Sequence, residues 1–352
     1  MEYAAVIIPT LNRIEHLTRC VESLLKNKEA IKTDIYISVD YPPSKRYEKG
    51  YMEVLAYVKT ITGFLSVNIY YQEKNLGPGL NRKFLEEKIS NIHDKYVFTD
   101  DDNEFSENFL AYINWGLEKY KDDESIYAIC SCSDFDICKK NTNSDYFMIT
   151  AYNPYGAGHW IHKNKKCADF LNQYSLNQIY KSKERQQILY NNSPMVYMCV
   201  AHDSLRMVSP MRGKNDSLTY IDIWENVYLI ENNMKCVKPM LPKSRNWGLD
   251  GSGIHVSEND KEDYVPEIEL DNSKEWANEP IRLDEDGESK NVALHRSKFR
   301  INKKEKKRCK QIYFLNYLFG NKILYLFFRI VRTLYRKIFR IEKNEKSEVM
   351  YG

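Results

Sequence analysis

Three consecutive carboxylates, Asp100, Asp101 and Asp102, follow the apolar run Tyr-Val-Phe that ends at residue 98. In an extended segment, side chains two residues apart point the same way, so three like charges at the exit of a buried strand repel one another. A hard divalent cation, Mg²⁺ or Mn²⁺, relieves that repulsion. Such an ion uses one or two carboxylates and keeps its other positions for water and phosphate oxygens. The chemistry this spacing can do is therefore the handling of phosphate charge. The same triplet also suits a solvated acidic turn ahead of a helix from Ser106, where a helix start favours negative charge.

The elements that must position the triplet are legible as alternating short apolar runs and helical stripes. Strands are expected at 4–9, 35–40, 67–72, 96–99 and 127–132. Helices are marked by Leu17, Val21, Leu24 and Leu25, then by Tyr51, Val54, Leu55 and Val58, then by Phe84, Leu85 and Ile89. This alternation is the signature of a mostly parallel sheet flanked by helices, in which ligands bind at the C-terminal ends of the strands. Three polar sites fall on that one edge: Pro9-Thr10-Leu11-Asn12-Arg13, Asp40 and the acidic triplet. Each also has a purely local reading, with Asn12 capping the first helix, Arg13 solvated in its first turn and Asp40 opening the Tyr-Pro-Pro turn.

Downstream, Asn153-Pro154-Tyr155-Gly156-Ala157-Gly158-His159-Trp160 reads either as a loop shaping a sugar site or as a tight turn with a buried Trp. Further helices are expected near 163–180 and 220–232. On the latter, Asp222 and Glu225 lie three residues apart, the spacing of neighbours on one helix face. Either is a candidate general base for taking a proton from a hydroxyl.

The chain has 352 residues, 43% hydrophobic and 29% charged, enough for a real core and inconsistent with wholesale disorder. Its eight cysteines show no disulfide framework and no spacing for a tetrahedral zinc site. The start, Met-Glu-Tyr-Ala-Ala, runs directly into an apolar strand without a leader pattern, so a cytoplasmic location is expected. The net charge of +3 conceals an asymmetry: residues 301–346 are strongly basic, so the remainder is net acidic. In that tail Arg329, Arg332, Arg336 and Arg340 recur at helical spacing among Phe, Leu, Ile and Tyr. This is the pattern of an amphipathic helix lying at an anionic membrane surface, too short in its apolar run to span a bilayer. The same helix with its apolar side in a core and its basic face solvated is the local alternative. No nucleic-acid-binding module is visible, and nucleic acid is excluded as a partner.

In order and spacing, Val6-Ile7-Ile8-Pro9-Thr10-Leu11-Asn12-Arg13, then Asn75-Leu76-Gly77-Pro78-Gly79-Leu80-Asn81-Arg82, then Asp100-Asp101-Asp102 resemble the nucleotide-binding half of bacterial-type GT-A fold glycosyltransferases, especially family 2. The resemblance covers residues 3–135. A second, local resemblance is to the N-acetylglucosaminyltransferase I family, in residues 98–109 and in Asp222-Ile223-Trp224-Glu225 followed by Cys236-Val237-Lys238-Pro239. That family has two acidic residues before the Trp where this chain has Asp222 and Ile223.

The resemblance implies a GT-A type, Rossmann-like α/β domain that binds a nucleotide-diphosphate sugar, with UDP the expected nucleotide and a glycan or lipid-linked acceptor. It implies that Pro9, Thr10, Asn12, Arg13, Asn81 and Arg82 face the nucleotide, with Arg13 on phosphate or base. Asp40 would accept from uracil or ribose, Asp100 and Asp101 would contact ribose or metal-bound water, and Asp102 would ligate Mn²⁺ or Mg²⁺. The glycine-rich run 244–255 looks like the mobile C-terminal loop of these enzymes, which makes His255 the candidate second metal ligand. Asp222 is the preferred base and Glu225 its rival. The domains expected are 1–135 for the nucleotide-sugar-binding half, 136–260 for the acceptor-binding and catalytic half of the same domain, 261–300 for an acidic surface segment or linker, and 301–352 for the basic amphipathic membrane-associating tail. The enzyme would then sit on the inner face of the cell membrane. A sugar-1-phosphate nucleotidyltransferase, which needs a glycine-rich loop after the first strand, and a catalytically silent nucleotide-sugar-binding protein are the competing classes.

Overall fold

A computed structural model describes residues 2–133, 146–173, 182–207, 221–239, 241–248, 250, 252, 269–272 and 303–319. The chain divides into two compact units, Met1–Lys166 with Met234–Val292, and Cys167–Asn233 with Ala293–Gly352.

The first unit opens with strand β1 (Ala5–Thr10), helix α1 (Ile14–Leu25), β2 (Asp34–Val39), α2 (Glu48–Val58), β3 (Ser66–Tyr71), α3 (Gly77–Ile89) and β4 (Lys95–Phe98). It continues with β5 (Asn103–Phe105), α4 (Phe109–Lys119), β6 (Ile126–Cys130), β7 (Tyr146–Ile149) and β8 (Ala157–Trp160), and α5 (Ile161–Gln173) belongs to it as far as Lys166. After the segment contributed to the second unit, β9 (Lys235–Pro239) and β10 (Ser244–Asn246) return to it.

Eight strands form one sheet in the order β3-β2-β1-β4-β8-β6-β9-β7, and β5 pairs with β10 in a separate ribbon. The half from β3 to β4 is parallel, as expected, and so is the β6–β9 pair. β8 runs antiparallel to both its neighbours, β4 and β6, and β7 runs antiparallel to β9. β1 lies between β2 and β4 and is buried along its whole length, which is why it reads as an unbroken apolar run.

Alternate residues of β1 serve opposite faces. Val6 and Ile8 pack with Leu17, Val21 and Leu24 of α1, Val54 and Val58 of α2, and Phe109, Ile113 and Leu117 of α4. Ala5 and Ile7 pack with Leu85 and Ile89 of α3 and with Tyr96 and Phe98 of β4. Each fully buried Val, Leu or Ile contributes about 1.5–3 kcal/mol relative to exposure.

Two elements differ from the sequence reading. The helix expected from Ser106 begins at Phe109, because residues 103–105 are taken by the ladder with β10. The acidic triplet is thus separated from the helix it was offered to cap. The glycines of 153–160 serve packing: Gly156 adopts φ +82°, and Gly158 lies so close to α4 that a Cβ there would be 2.5 Å from Ile113 Cγ2. His159 and Trp160 are buried in β8, the latter donating its indole N–H to Leu117 O at 3.1 Å.

The described residues of the second unit are mainly helical: the end of α5 from Cys167, α6 (Lys183–Asn192), α7 (Pro194–Met207), α8 (Ile221–Glu231) and α9 (Lys303–Phe319). Its core joins Leu189, Val196, Tyr197, Val200, Trp224, Val227 and Cys309. Tyr313 of α9 stacks on Tyr190 with ring centroids 4.3 Å apart. The first part of the basic tail is therefore a core helix on the side of Cys309 and Tyr313, while Phe314 and Leu318 are exposed. Arg329, Arg332, Arg336 and Arg340 lie outside the described residues. No described helix is long and apolar enough to cross a membrane.

Candidate active site

Because β1 and β4 are parallel neighbours, their C-terminal ends meet, and the loops that leave them share one edge. Thr10, the last residue of β1, donates its hydroxyl to Asp101 Oδ2 at 2.7 Å. Three residues on, Arg13 starts α1 without any side-chain cap of its own, and its guanidinium turns to the triplet. One terminal nitrogen, Nη2, donates to Asp101 Oδ1, and the other, Nη1, lies 2.9 Å from Asp102 Oδ2. The fork thus spans two adjacent carboxylates.

The electrostatics follow from crowding. Burial opposes the charge on Arg13, but Asp101, Asp102 and Asp100 outweigh it and raise the guanidinium's pKa. Burial, then Asp102 and Asp101, push the Asp100 carboxyl up to about 7, with Arg13 and Arg82 opposing. Asp101 is also raised, by burial first and by Asp102, while Arg13 and the Thr10 hydroxyl hold it down. Three acidic side chains thus crowd beside two guanidinium groups, and burial together with mutual repulsion disfavours full ionisation of Asp100 and Asp101.

Asp102 is fixed from the opposite side by the β5–β10 ribbon, in which Asn246 pairs with Asn103. Asn246 Nδ2 donates to Asp102 Oδ1 at 2.7 Å and to Asn103 Oδ1 at 2.9 Å, and Trp247 N donates to Asp102 O at 2.8 Å. Gly248 follows, so close that a Cβ there would collide with Asp102 Oδ2. Trp247 is itself held: its indole N–H donates to Glu104 Oε2 at 2.8 Å, and the Arg19 guanidinium lies 4.4 Å from its ring centroid. His16 of α1 lies 3.3 Å from Asp250. Asn246, Trp247, Gly248 and Asp250 fall in the run 244–255 that reads from sequence as a C-terminal loop, though only His255 of that run carries an assigned role, and sequence does not single out His16 or Arg19. The signal available was weak: His16 and Arg19 continue the Arg13 face of α1 at helical spacing.

Other candidates have internal roles. Pro9 is buried in β1 opposite Ser38. Asn12 is half buried, and its carbonyl oxygen sits where a Cβ on Gly50 of α2 would be. Asn81 is buried and bonded to Ser38 through both its oxygen and its nitrogen. Arg82, also buried, donates to Glu86 at 2.9 Å and covers the Phe98 ring at 4.1 Å. Asp40 accepts four hydrogen bonds: Oδ1 from the backbone of Tyr41 and Leu76, both at 2.8 Å, and Oδ2 from Gly77 N at 2.8 Å and Asn75 Nδ2 at 3.2 Å. A carboxylate has about four acceptor positions, so all of them are engaged by the protein. Burial raises its pKa, and the three backbone bonds act against that.

Asp222 and Glu225 lie on α8 of the second unit, Asp222 partly exposed in the first turn and Glu225 buried. His255 lies outside the described residues. Among the described residues, no three His, Cys, Asp or Glu side chains form a ready cage for a metal. The donor set nevertheless fits a hard cation of the Mg²⁺ or Mn²⁺ kind. Three carboxyl side chains supply oxygen donors at the exit of a strand, and such ions bind through few protein ligands and complete their shell with phosphate and water.

A parallel half-sheet with helices on both faces and an acidic exit beside its central strand defines an α/β domain of the GT-A type. The chain belongs to glycosyl transferase family 2, whose family model matches residues 5–199. No curated protein sequence matches it. Similar solved structures include a mannosyltransferase from Pyrobaculum calidifontis in complex with GDP-Man and Mn²⁺, at 12% identity and TM-score 0.35, covering 49% of this chain and 47% of that one. TarS of S. aureus matches at 14% identity and TM-score 0.34, over 47% of this chain and 29% of that one. GalNAc-T7 with UDP, GalNAc and Mn²⁺ matches at 13% identity and TM-score 0.40, over 71% and 46%. The chain thus matches less than half the length of each of these three proteins.

Proposed function

We propose that this chain is an inverting, metal-dependent, non-processive glycosyltransferase. It moves a sugar from a nucleotide-diphosphate sugar, in our reading a UDP-sugar, to a glycan or lipid-linked acceptor in capsule or surface-polysaccharide synthesis. The observation that carries this reading is the acidic triplet at the end of β4, bridged by Arg13 and bonded by Thr10 from the neighbouring strand end, in a chain of family 2.

In the reaction the acceptor hydroxyl oxygen bonds to the anomeric carbon as the bond from that carbon to the diphosphate oxygen breaks. The hydroxyl proton passes to a carboxylate, assigned to Asp222 with Glu225 as rival, and the nucleoside diphosphate leaves with the bonding electrons. Thr10 and Arg13 orient the diphosphate; Arg13 offers a planar fork that suits phosphate oxygens as well as carboxylates. A bound Mg²⁺ or Mn²⁺, held by Asp102 and by His255, would neutralise the charge that builds on the departing diphosphate. The tail beyond α9 supplies the basic residues that keep the enzyme at an anionic membrane surface, on the cytoplasmic face in this reading.

A panel of nucleotide sugars with Mn²⁺, scored by hydrolysis and by thermal stabilisation, tests the proposal. One nucleotide-diphosphate sugar should be turned over. Asp102→Asn should abolish that turnover with the fold retained. Asp222→Asn should lower kcat by about 10²–10⁴-fold, the range for loss of a general base, with donor binding unchanged. Release of pyrophosphate from a nucleoside triphosphate and a sugar 1-phosphate would instead identify a nucleotidyltransferase.

A further inference from the structure

The ribbon that carries Asn246 to Asp102 is three residue pairs long: Ser244 with Phe105, Arg245 with Glu104 and Asn246 with Asn103. A two-stranded ribbon of that size is at best marginally stable alone, and this one also joins residues 143 apart in the chain. Its two ends must therefore be held from outside. One end is the site itself, where Trp247 N donates to Asp102 O at 2.8 Å. The other end is Lys243, where the chain enters β10.

Lys243 is pinned through backbone and side chain together. Its N–H donates to Ser131 O at 2.8 Å, next to the end of β6, and its carbonyl accepts from Ser106 N at 3.0 Å, just past β5. Its ammonium, on a side chain 1% exposed, donates to Asn108 Oδ1 at 3.1 Å and to Asp271 Oδ2 at 2.5 Å, and lies 5.7 Å from the Tyr112 ring centroid. Asp271 follows Lys243 by 28 residues and belongs to 269–272, the described part of the stretch read from sequence as an acidic surface segment or linker.

These four residues grip both strands of the ribbon at its far end. Asp271 N donates to Pro242 O at 2.9 Å on the β10 side, and Asn272 Oδ1 accepts from Glu107 N at 3.2 Å on the β5 side. Between those two bonds the Asp271 carboxylate meets the Lys243 ammonium. Removing one partner of a buried ion pair leaves the other charge uncompensated, so the loss of Asp271 falls on the residue that sets where β10 begins. A shift there is carried along three pairs to Asn246, whose side chain orients Asp102.

We propose that Asp271 is a positioning residue for Asp102: through Lys243 it fixes the register of β10 on β5, and so the bond from Asn246 to the carboxylate. This rests on the reading of Asp102 as a metal ligand. Two measurements on the full chain test it: Mn²⁺ titration by electron paramagnetic resonance, and hydrogen exchange resolved to single amides in the metal-free protein. The proteins compared are wild type, Asp271→Ala, Asp271→Asn, Asn246→Leu and the double variant Asp271→Ala with Asn246→Leu. Loss of an orienting bond weakens a metal site by about 10–100-fold, and Asp271→Ala, one step further out, should cost about 3–10-fold in Mn²⁺ affinity. In the Asn246→Leu background the same substitution should cost less than about twofold, because the path to Asp102 is already cut. Asp271→Asn leaves Lys243 an oxygen acceptor without the charge; it should fall between Asp271→Ala and wild type, and it carries the test if Asp271→Ala does not fold. In the exchange experiment the amides of Ser106 and Trp247 should both open faster in the Asp271 variants, with β1 unchanged. Folded variants that bind Mn²⁺ like wild type, equal losses in both backgrounds, or faster exchange at Ser106 alone would overturn the proposal. A wild-type chain that binds no Mn²⁺ would overturn the metal reading of Asp102 instead, while the exchange rates would still decide whether Asp271 holds the ribbon.

Discussion

At the scale of single residues, the site is organised by a cation the protein supplies itself. Arg13 joins Asp101 and Asp102, and the pair of carboxylates is more buried than the guanidinium. Removing one partner from a buried ion pair costs several kcal/mol because the other is left uncompensated; here partial solvent access reduces that to roughly 1–3 kcal/mol. Arg13→Gln should lower the melting temperature without divalent cation, and Mn²⁺ should raise it by more than in wild type, since the ion then meets two unneutralised carboxylates. Equal Mn²⁺ shifts in both proteins would show that Arg13 and the ion do not share this charge. Asn246 is the second residue to test. Asn246→Leu leaves Asp102 Oδ1 and Asn103 Oδ1 without their shared donor, and Mn²⁺ affinity, read by electron paramagnetic resonance, should fall by about 10–100-fold, the usual effect of losing a ligand-orienting bond.

At the scale of elements, the strands and helices from β1 to β4 are readable because each has one strong periodicity. β1 through β4 fall within a residue of the positions expected from their apolar runs, since a parallel sheet covered on both faces demands such runs. What the periodicity does not carry is pairing between distant short segments. β5 and β10 have three residues each, and β8 is a Gly-containing strand whose composition imitates a turn. Asp40 shows the same limit at the site: its type and place fit a ligand-binding role, whereas its four donors come from its own and the following loop. Asp40→Asn should therefore act on the element, lowering stability by about 1–2 kcal/mol through loss of acceptors at the start of α3. Gly158→Ala should cost about 1–3 kcal/mol by overpacking β8 against α4. For Gly158→Ala, donor affinity should remain unchanged at temperatures where the fold persists; urea titration and calorimetry separate the two effects.

At the scale of the whole molecule, the basic tail divides into a part that builds the second unit and a part beyond residue 319. Cys309 is buried and Tyr313 packs on Tyr190, so α9 cannot be removed without opening that core. Truncation after residue 319 should leave the helical core and nucleotide binding intact but abolish co-sedimentation with vesicles rich in anionic lipid. Truncation after residue 302 should also lower the melting temperature. Retention of vesicle binding by the shorter deletion would place the membrane contact elsewhere on the chain.

The ribbon of β5 and β10 has a consequence for biosynthesis. Asn246 lies 144 residues after Asp102, so the bond that orients the carboxylate closes a long loop. The strand pairings of the parallel half use nothing beyond β4, and the α4 helix that completes their packing follows by residue 119, so this part can assemble early in synthesis. Asp102 must wait until residue 246 is made, and until then its side chain has no partner from that direction. A nascent chain would thus reach a state with most of its scaffold in place and its acidic cluster still unset, and maturation of the site would be a late event in folding, separable in time from formation of the fold that carries it.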